Sequence, residues 1–212
     1  FTIFNGVNES FFRFSAQEIA DLKKTHGIKE NQFVILCPRR WAPTKGIIYL
    51  VESMIKYEYD EKFVFIFAGD DYPNFPKYTK KINTLLSEPN LKANIIRLGS
   101  IDISKLNKYY NLSDVVIIPS IMEAVSLAAL ESMATGTPVI STNVGGMPEL
   151  ISNDVNGILI NPKNPDDIYN SIIKIENDSA LYENIIQNGL DTAKLNSWYN
   201  VALKTHKVYQ EL

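Results

Sequence analysis

Short apolar runs separated by helix-length amphipathic stretches constrain this chain more than any other feature of its sequence. The runs are Phe33–Cys37, Phe63–Ala68, Asn94–Leu98, Val115–Pro119, Val139–Thr142 and Gly157–Ile160. Most are rich in Val, Ile and Phe without polar alternation, as strands covered on both faces require. Between them lie Lys45–Tyr57, Lys77–Glu88, Ser104–Leu112 and Ala124–Thr135. Ile48, Val51 and Ile55 in the first stretch, and Ile82, Leu85 and Leu86 in the second, fall at helical spacing. The alternation predicts an α/β fold, a parallel sheet flanked by helices, and right-handed crossovers make it Rossmann-like.

The 212 residues are enough for one domain, or one with a short appendage. At 45% hydrophobic and 21% charged residues, the chain is neither disordered, collagen-like nor coiled coil. A net charge of −3 argues against a general nucleic-acid binder and leaves room for a local basic site. The one cysteine, Cys37, lies inside the apolar run FVILC and is expected to be a buried, inert thiol in a reducing compartment. No apolar run reaches membrane-spanning length, and no secretory leader is visible.

The two ends differ from the middle. Residues 1–14 carry an Asn5–Gly6 turn signal and five phenylalanines, Phe1, Phe4, Phe11, Phe12 and Phe14, which suggests packing against something. From about Pro165 to Leu212 the pattern is helical only, with Trp198, Val201, Ala202, Val208 and Tyr209 on one face near the end.

Ligands of open parallel sheets bind beyond the carboxyl ends of the strands, so the loops after each run are the places to look. The loop after Phe33–Cys37 reads PRRWAPTKG and sets Arg39, Arg40 and Lys45 before a helix start. Cations there are unfavourable unless an anion such as a diphosphate joins them; the alternative is a solvated loop. The second loop leads into a stretch, Ala124 to Ile140, whose only charged residue is Glu131. Such a helix is buried, so Glu131 is expected to look into a cleft, or else to form a buried ion pair. Glu123 stands eight residues earlier, ~12 Å along a continuous helix axis, a span suited to two ends of one ligand. Glu123 equally suits plain stabilisation of the helix N-terminus. The third loop, Asn143 to Glu149, offers Gly145 and Gly146 for a nest of N–H groups or for a structural turn, with Glu149 a ligand group or, the favoured reading, an early-helix acid. Asp70 and Asp71 are adjacent acids without a third ligand at a recognisable spacing, and no metal site is expected.

At these residues the chain resembles a known family. PSIMEAVSLAALESMATGTPVISTNVGGMPELI is similar to the signature of the family 4 (group 1) retaining glycosyltransferases of the GT-B fold. Glu123 and Glu131 match that family's pair of glutamates, and Arg40 and Lys45 its arginine and lysine five apart. FNGVN at 4–8 resembles the linker into the second domain of these enzymes, and Ser197–Trp198–Tyr199 the start of their terminal helix. Arg39, Ala124 and Ser126 depart from positions often held by glycine.

The resemblance implies a C-terminal domain that binds a nucleoside-diphosphate sugar of UDP or GDP type, with no further cofactor. Arg40 and Lys45 would hold the diphosphate, Glu131 the ribose hydroxyls, and Glu123 would face the sugar. The backbone of Val125, Ser126 and Leu127 would cradle phosphate, so that catalysis is mainly electrostatic, with no bound metal. Residues 1–20 would be interdomain linker, 21–190 the donor-binding domain, and 191–212 a helix resting on an N-terminal acceptor domain absent from this chain. Phe1 then reads as a cut near the linker, and the isolated chain is expected to transfer sugar poorly or not at all. The setting implied is surface polysaccharide or glycoconjugate synthesis in the cytoplasm, with the intact protein at the inner face of the membrane. A sugar-nucleotide 2-epimerase of the same fold and a non-catalytic sugar-nucleotide-binding module are the alternatives.

Overall fold

A computed structural model describes residues 3–8, 10–69 and 74–211. Phe1, Asp70 and Asp71 lie outside them. In chain order the elements are α1 (Ala16–Thr25), β1 (Phe33–Cys37), α2 (Ile47–Lys56), β2 (Phe63–Ala68), α3 (Pro76–Leu86), β3 (Asn94–Gly99), α4 (Ile103–Leu112), β4 (Val115–Ile118), α5 (Leu127–Ala134), β5 (Val139–Thr142), α6 (Met147–Leu150), β6 (Ile158–Ile160), α7 (Pro165–Asn177), α8 (Ser179–Leu195) and α9 (Trp198–Gln210). The strands form one sheet in the order β3-β2-β1-β4-β5-β6, and every pairing between named strands is parallel. This is the Rossmann-like α/β fold that the sequence predicts, with every apolar run a strand to within one residue at its ends.

Both faces of the sheet are covered because the side chains alternate. Ile35 and Cys37 of β1 pack with Phe65 and Phe67 of β2 under α2, α3 and α7. Val34 and Leu36 point the other way, with Val64, Ile66, Val116 and Ile118, under α4 and α5. Burial pushes the Cys37 thiol up to about 12, so it stays protonated and unreactive. β3, at the sheet edge, is the one strand without a fully covered residue.

The ends are tied to the body of the domain. Val7 forms a parallel bridge with Ser197, and its N–H donates to the Asn196 carbonyl at 2.9 Å. The Asn5–Gly6 turn reading is corrected here. A Cβ on Gly6 would lie 2.7 Å from the Trp198 nitrogen, so glycine serves close approach rather than a reversal. Phe11 is buried edge-on against Tyr110, Phe4 and Phe14 are half-buried, and Phe12 is exposed. The boundaries expected at 20/21 and 190/191 fall inside α1 and α8. On α9 only Val201 is buried, while Trp198, Tyr199, Leu203 and Tyr209 remain exposed. Among the described residues no helix is long and apolar enough to cross a membrane.

Candidate functional site

The strand order reverses direction between β1 and β4, which is where open α/β sheets hold ligands. The loops after β1, β4 and β5 meet at that point and are joined backbone to backbone. The Ile121 N–H donates to the Thr44 carbonyl at 2.8 Å, and the Gly146 N–H to the Ala124 carbonyl at 2.6 Å. The Thr142 hydroxyl donates to the Ser120 carbonyl at 2.5 Å. Glycine permits this crowding. At Gly46 (φ 65°) a Cβ would fall 1.9 Å from the Pro119 oxygen, and at Gly145 (φ 57°) 1.6 Å from the Glu123 oxygen. The nest reading of the third loop does not hold, since the N–H groups of Asn143, Val144, Gly146 and Met147 are already given to carbonyls. Glu149 sits exposed in the first turn of α6, as an early-helix acid.

At this junction Glu123 gathers charge. Its Oε2 lies 3.0 Å from the Lys45 Nζ, 3.4 Å from an Arg39 guanidinium nitrogen and 3.1 Å from the Ser120 hydroxyl. All three side chains of the ionic cluster are less than one-fifth exposed. Lys45 reaches it because the stretch expected as one helix from Lys45 is divided. Pro43–Lys45 make a 3-10 turn, Gly46 takes the left-handed conformation, and α2 begins at Ile47. Arg40 is exposed on the same loop, whereas Arg39 is drawn inward.

Glu131 is placed differently. It is 8% exposed on a helix whose neighbours from Ala128 to Met133 are all buried. Its Oε2 accepts the Tyr110 hydroxyl at 2.7 Å. Burial raises its carboxyl above the ordinary value of 4.5, against the lowering effects of the Tyr110 hydrogen bond and the Arg39 charge. The Tyr110 hydroxyl is pushed far up by burial and by the neighbouring carboxylate. Thus Glu131 forms no ion pair among the described residues, and a hydroxyl holds its Oε2.

The ~12 Å helical ruler between the two glutamates also fails, because α5 starts only at Leu127 and Glu123 lies in the loop before it. The two carboxylates are instead related through Arg39, which pairs with Glu123 and acts electrostatically on Glu131. Ser126, the N-cap of α5, makes no side-chain cap. Its hydroxyl accepts from Arg39, and its N–H points at the Met147 sulfur at 3.4 Å. The first turn of α5, beginning at Leu127, is therefore without the side-chain acceptor that Ser usually provides, and Val125 is half-buried beside it. Uncapped helix N–H groups suit an anion. Tyr110, Ser120 and the inward turn of Arg39 escape sequence reasoning. Among the described residues no cluster of three or more acidic, His or Cys side chains stands ready for a metal ion.

Comparison with known proteins bears on this geometry. The family model described as "Glycosyl transferases group 1" matches residues 18–192. The chain belongs to the group 1 glycosyl transferases. It is 34% identical over 98% of its length to an uncharacterised glycosyltransferase of Methanocaldococcus jannaschii, covering 53% of that protein. It is 31% identical over 96% of its length to the UDP-Gal:alpha-D-GlcNAc-diphosphoundecaprenol alpha-1,3-galactosyltransferase of Escherichia coli, covering 51% of it. Among solved structures, Anabaena HepE in complex with UDP and glucose aligns with a TM-score of 0.88 at 23% identity, over 99% of this chain and 56% of that one, and shares its fold. This group 1 chain therefore spans about half the length of the relatives it matches.

Proposed function

We propose that the chain is the C-terminal, donor-binding domain of a retaining glycosyltransferase. It would present a nucleoside-diphosphate sugar, of UDP or GDP type, for transfer to an acceptor in surface polysaccharide or glycoconjugate synthesis. One observation carries the reading: Lys45 and Arg39 converge on Glu123 at the switch point of the sheet, beside the uncapped N-terminus of α5. Two cations share one carboxylate there, a local surplus that a diphosphate neutralises.

Placement and family support the following roles. Lys45 and Arg40 bind the diphosphate and stabilise the charge that grows on it as the glycosidic bond breaks, together with the backbone at Val125, Ser126 and Leu127. Glu131, held on α5 with Tyr110 on its Oε2, takes the ribose hydroxyls. Glu123 faces the sugar. The whole enzyme adds an N-terminal acceptor domain, and the exposed aromatic face of α9 supports its resting there. A cytoplasmic site at the inner face of a membrane goes with this role, and the E. coli relative's lipid-linked acceptor supports it.

Calorimetric titration with UDP, GDP and ADP tests the reading. At least one should bind, with affinity falling about tenfold or more in Lys45→Ala, the loss of one charge-assisted contact. The isolated chain should show little or no sugar transfer. Failure of all three nucleotides to bind would overturn the assignment.

A further inference from the structure

The Arg39 guanidinium donates to the Ser126 hydroxyl. The same guanidinium nitrogen lies 3.4 Å from Glu123. The Arg39 side chain is 10% exposed, and its Nε is buried without a hydrogen-bond partner. Its backbone is fixed as well. The Arg39 N–H donates to the Cys37 carbonyl at 3.0 Å, and the Arg39 carbonyl abuts Gly69 so closely that a Cβ there would lie 2.2 Å away. Burying a guanidinium beside a cationic neighbour is costly unless it secures something.

What it secures is Glu123 relative to α5. We propose that Arg39 is a positioning residue of the donor site: from the end of β1 it ties Glu123 to the N-cap of α5, so that Glu123 keeps its place when Lys45 turns from it to the diphosphate. The proposal rests on the donor-binding reading above. Lys45 has Glu123 as its ion-pair partner, whereas Arg39 is also anchored at Ser126. Every contact of Glu123 with these donors falls on Oε2, which leaves Oε1 as the acceptor for a sugar hydroxyl. Both contacts share one nitrogen, held at the end of a planar, pre-organised group, whereas a lysine ammonium sits on a flexible stem.

The test compares the chain with Arg39→Met, Arg39→Lys and Ser126→Gly, using UDP and UDP-glucose as probes and carbon-detected NMR titration of the Glu131 carboxyl. Arg39→Met should weaken UDP-glucose binding about tenfold more than UDP binding, the worth of one charge-assisted hydrogen bond. Arg39→Lys should keep the Glu131 titration near that of the parent yet fail to restore the preference for UDP-glucose. The double variant Arg39→Met/Ser126→Gly should be no worse than Arg39→Met alone, as expected of partners in one unit. Removing the Arg39 charge should move the Glu131 titration upward, because that charge lowers it. Equal weakening of UDP and UDP-glucose, or a Glu123 that keeps its position in a crystal structure of Arg39→Met, would overturn the proposal. Where the parent chain binds GDP or ADP instead of UDP, the comparison uses that nucleotide and its glucose conjugate; failure of all three counts against the donor reading, and displacement of Glu123 in a crystal structure of Arg39→Met then decides the Arg39 contact.

Discussion

Glu123 and Glu131 are eight residues apart and are held by opposite physics. Glu123 lies in a loop, and two cations and a hydroxyl surround one of its oxygens. Glu131 lies on a buried helix with a single phenolic partner, and its carboxyl is raised by burial. One carboxylate is surrounded by compensating charge, the other by little but apolar neighbours. On the donor reading, a ligand bridging both would draw a cation away at one end and add hydroxyls at the other.

The largest expected effect separates the two by binding. On the donor reading, Glu131→Ala should weaken nucleoside diphosphate binding about a hundredfold, the equivalent of two hydrogen bonds to a charged acceptor. A calorimetric loss under threefold would place the ribose elsewhere. Next come matched hydroxyl deletions read by urea denaturation. Tyr110→Phe leaves a buried carboxylate without its partner and should cost about 1–3 kcal/mol, whereas Ser120→Ala leaves Glu123 its two cations and should cost about 0.5–1 kcal/mol. Equal costs would erase the distinction between the sites.

The smallest effect concerns pH. Folding raises the Glu131 carboxyl above 4.5, so the folded state binds its proton more tightly than the unfolded chain. The resulting stabilisation is fully present below 4.5 and is lost as pH rises through the higher folded value. Measured against Glu131→Gln, which does not titrate, the parent chain should therefore lose relative stability as pH climbs from 4.5 toward neutrality. A constant difference across that window would remove burial as the cause.

Most strands were legible because a strand covered on both faces is apolar in a short run bounded by polar residues, although Ile47–Val51 of α2 is an equally apolar run. The helix α1 was less so, since none of its residues is buried and the apolar signal is weak. Yet Ser15 and Glu18 form a capping box whose Ser-x-x-Glu spacing stands plainly in the sequence. The cationic loop and the glutamate pair were legible as residue types, but their partners were not. Adjacent residues at a strand end point in opposite directions, so whether Arg39 or Arg40 turns inward depends on what packs over β1. Likewise, Tyr110 meets Glu131 only after α4 and α5 are laid side by side on the sheet.

The missing Cβ atoms of Gly46 and Gly145 have a mechanical consequence. Where a methyl group would overlap a neighbouring carbonyl, two loops cannot slide past each other without parting the backbones. The two loops thus move as one piece. On the donor reading, little order has to be imposed on this rim when a nucleotide arrives.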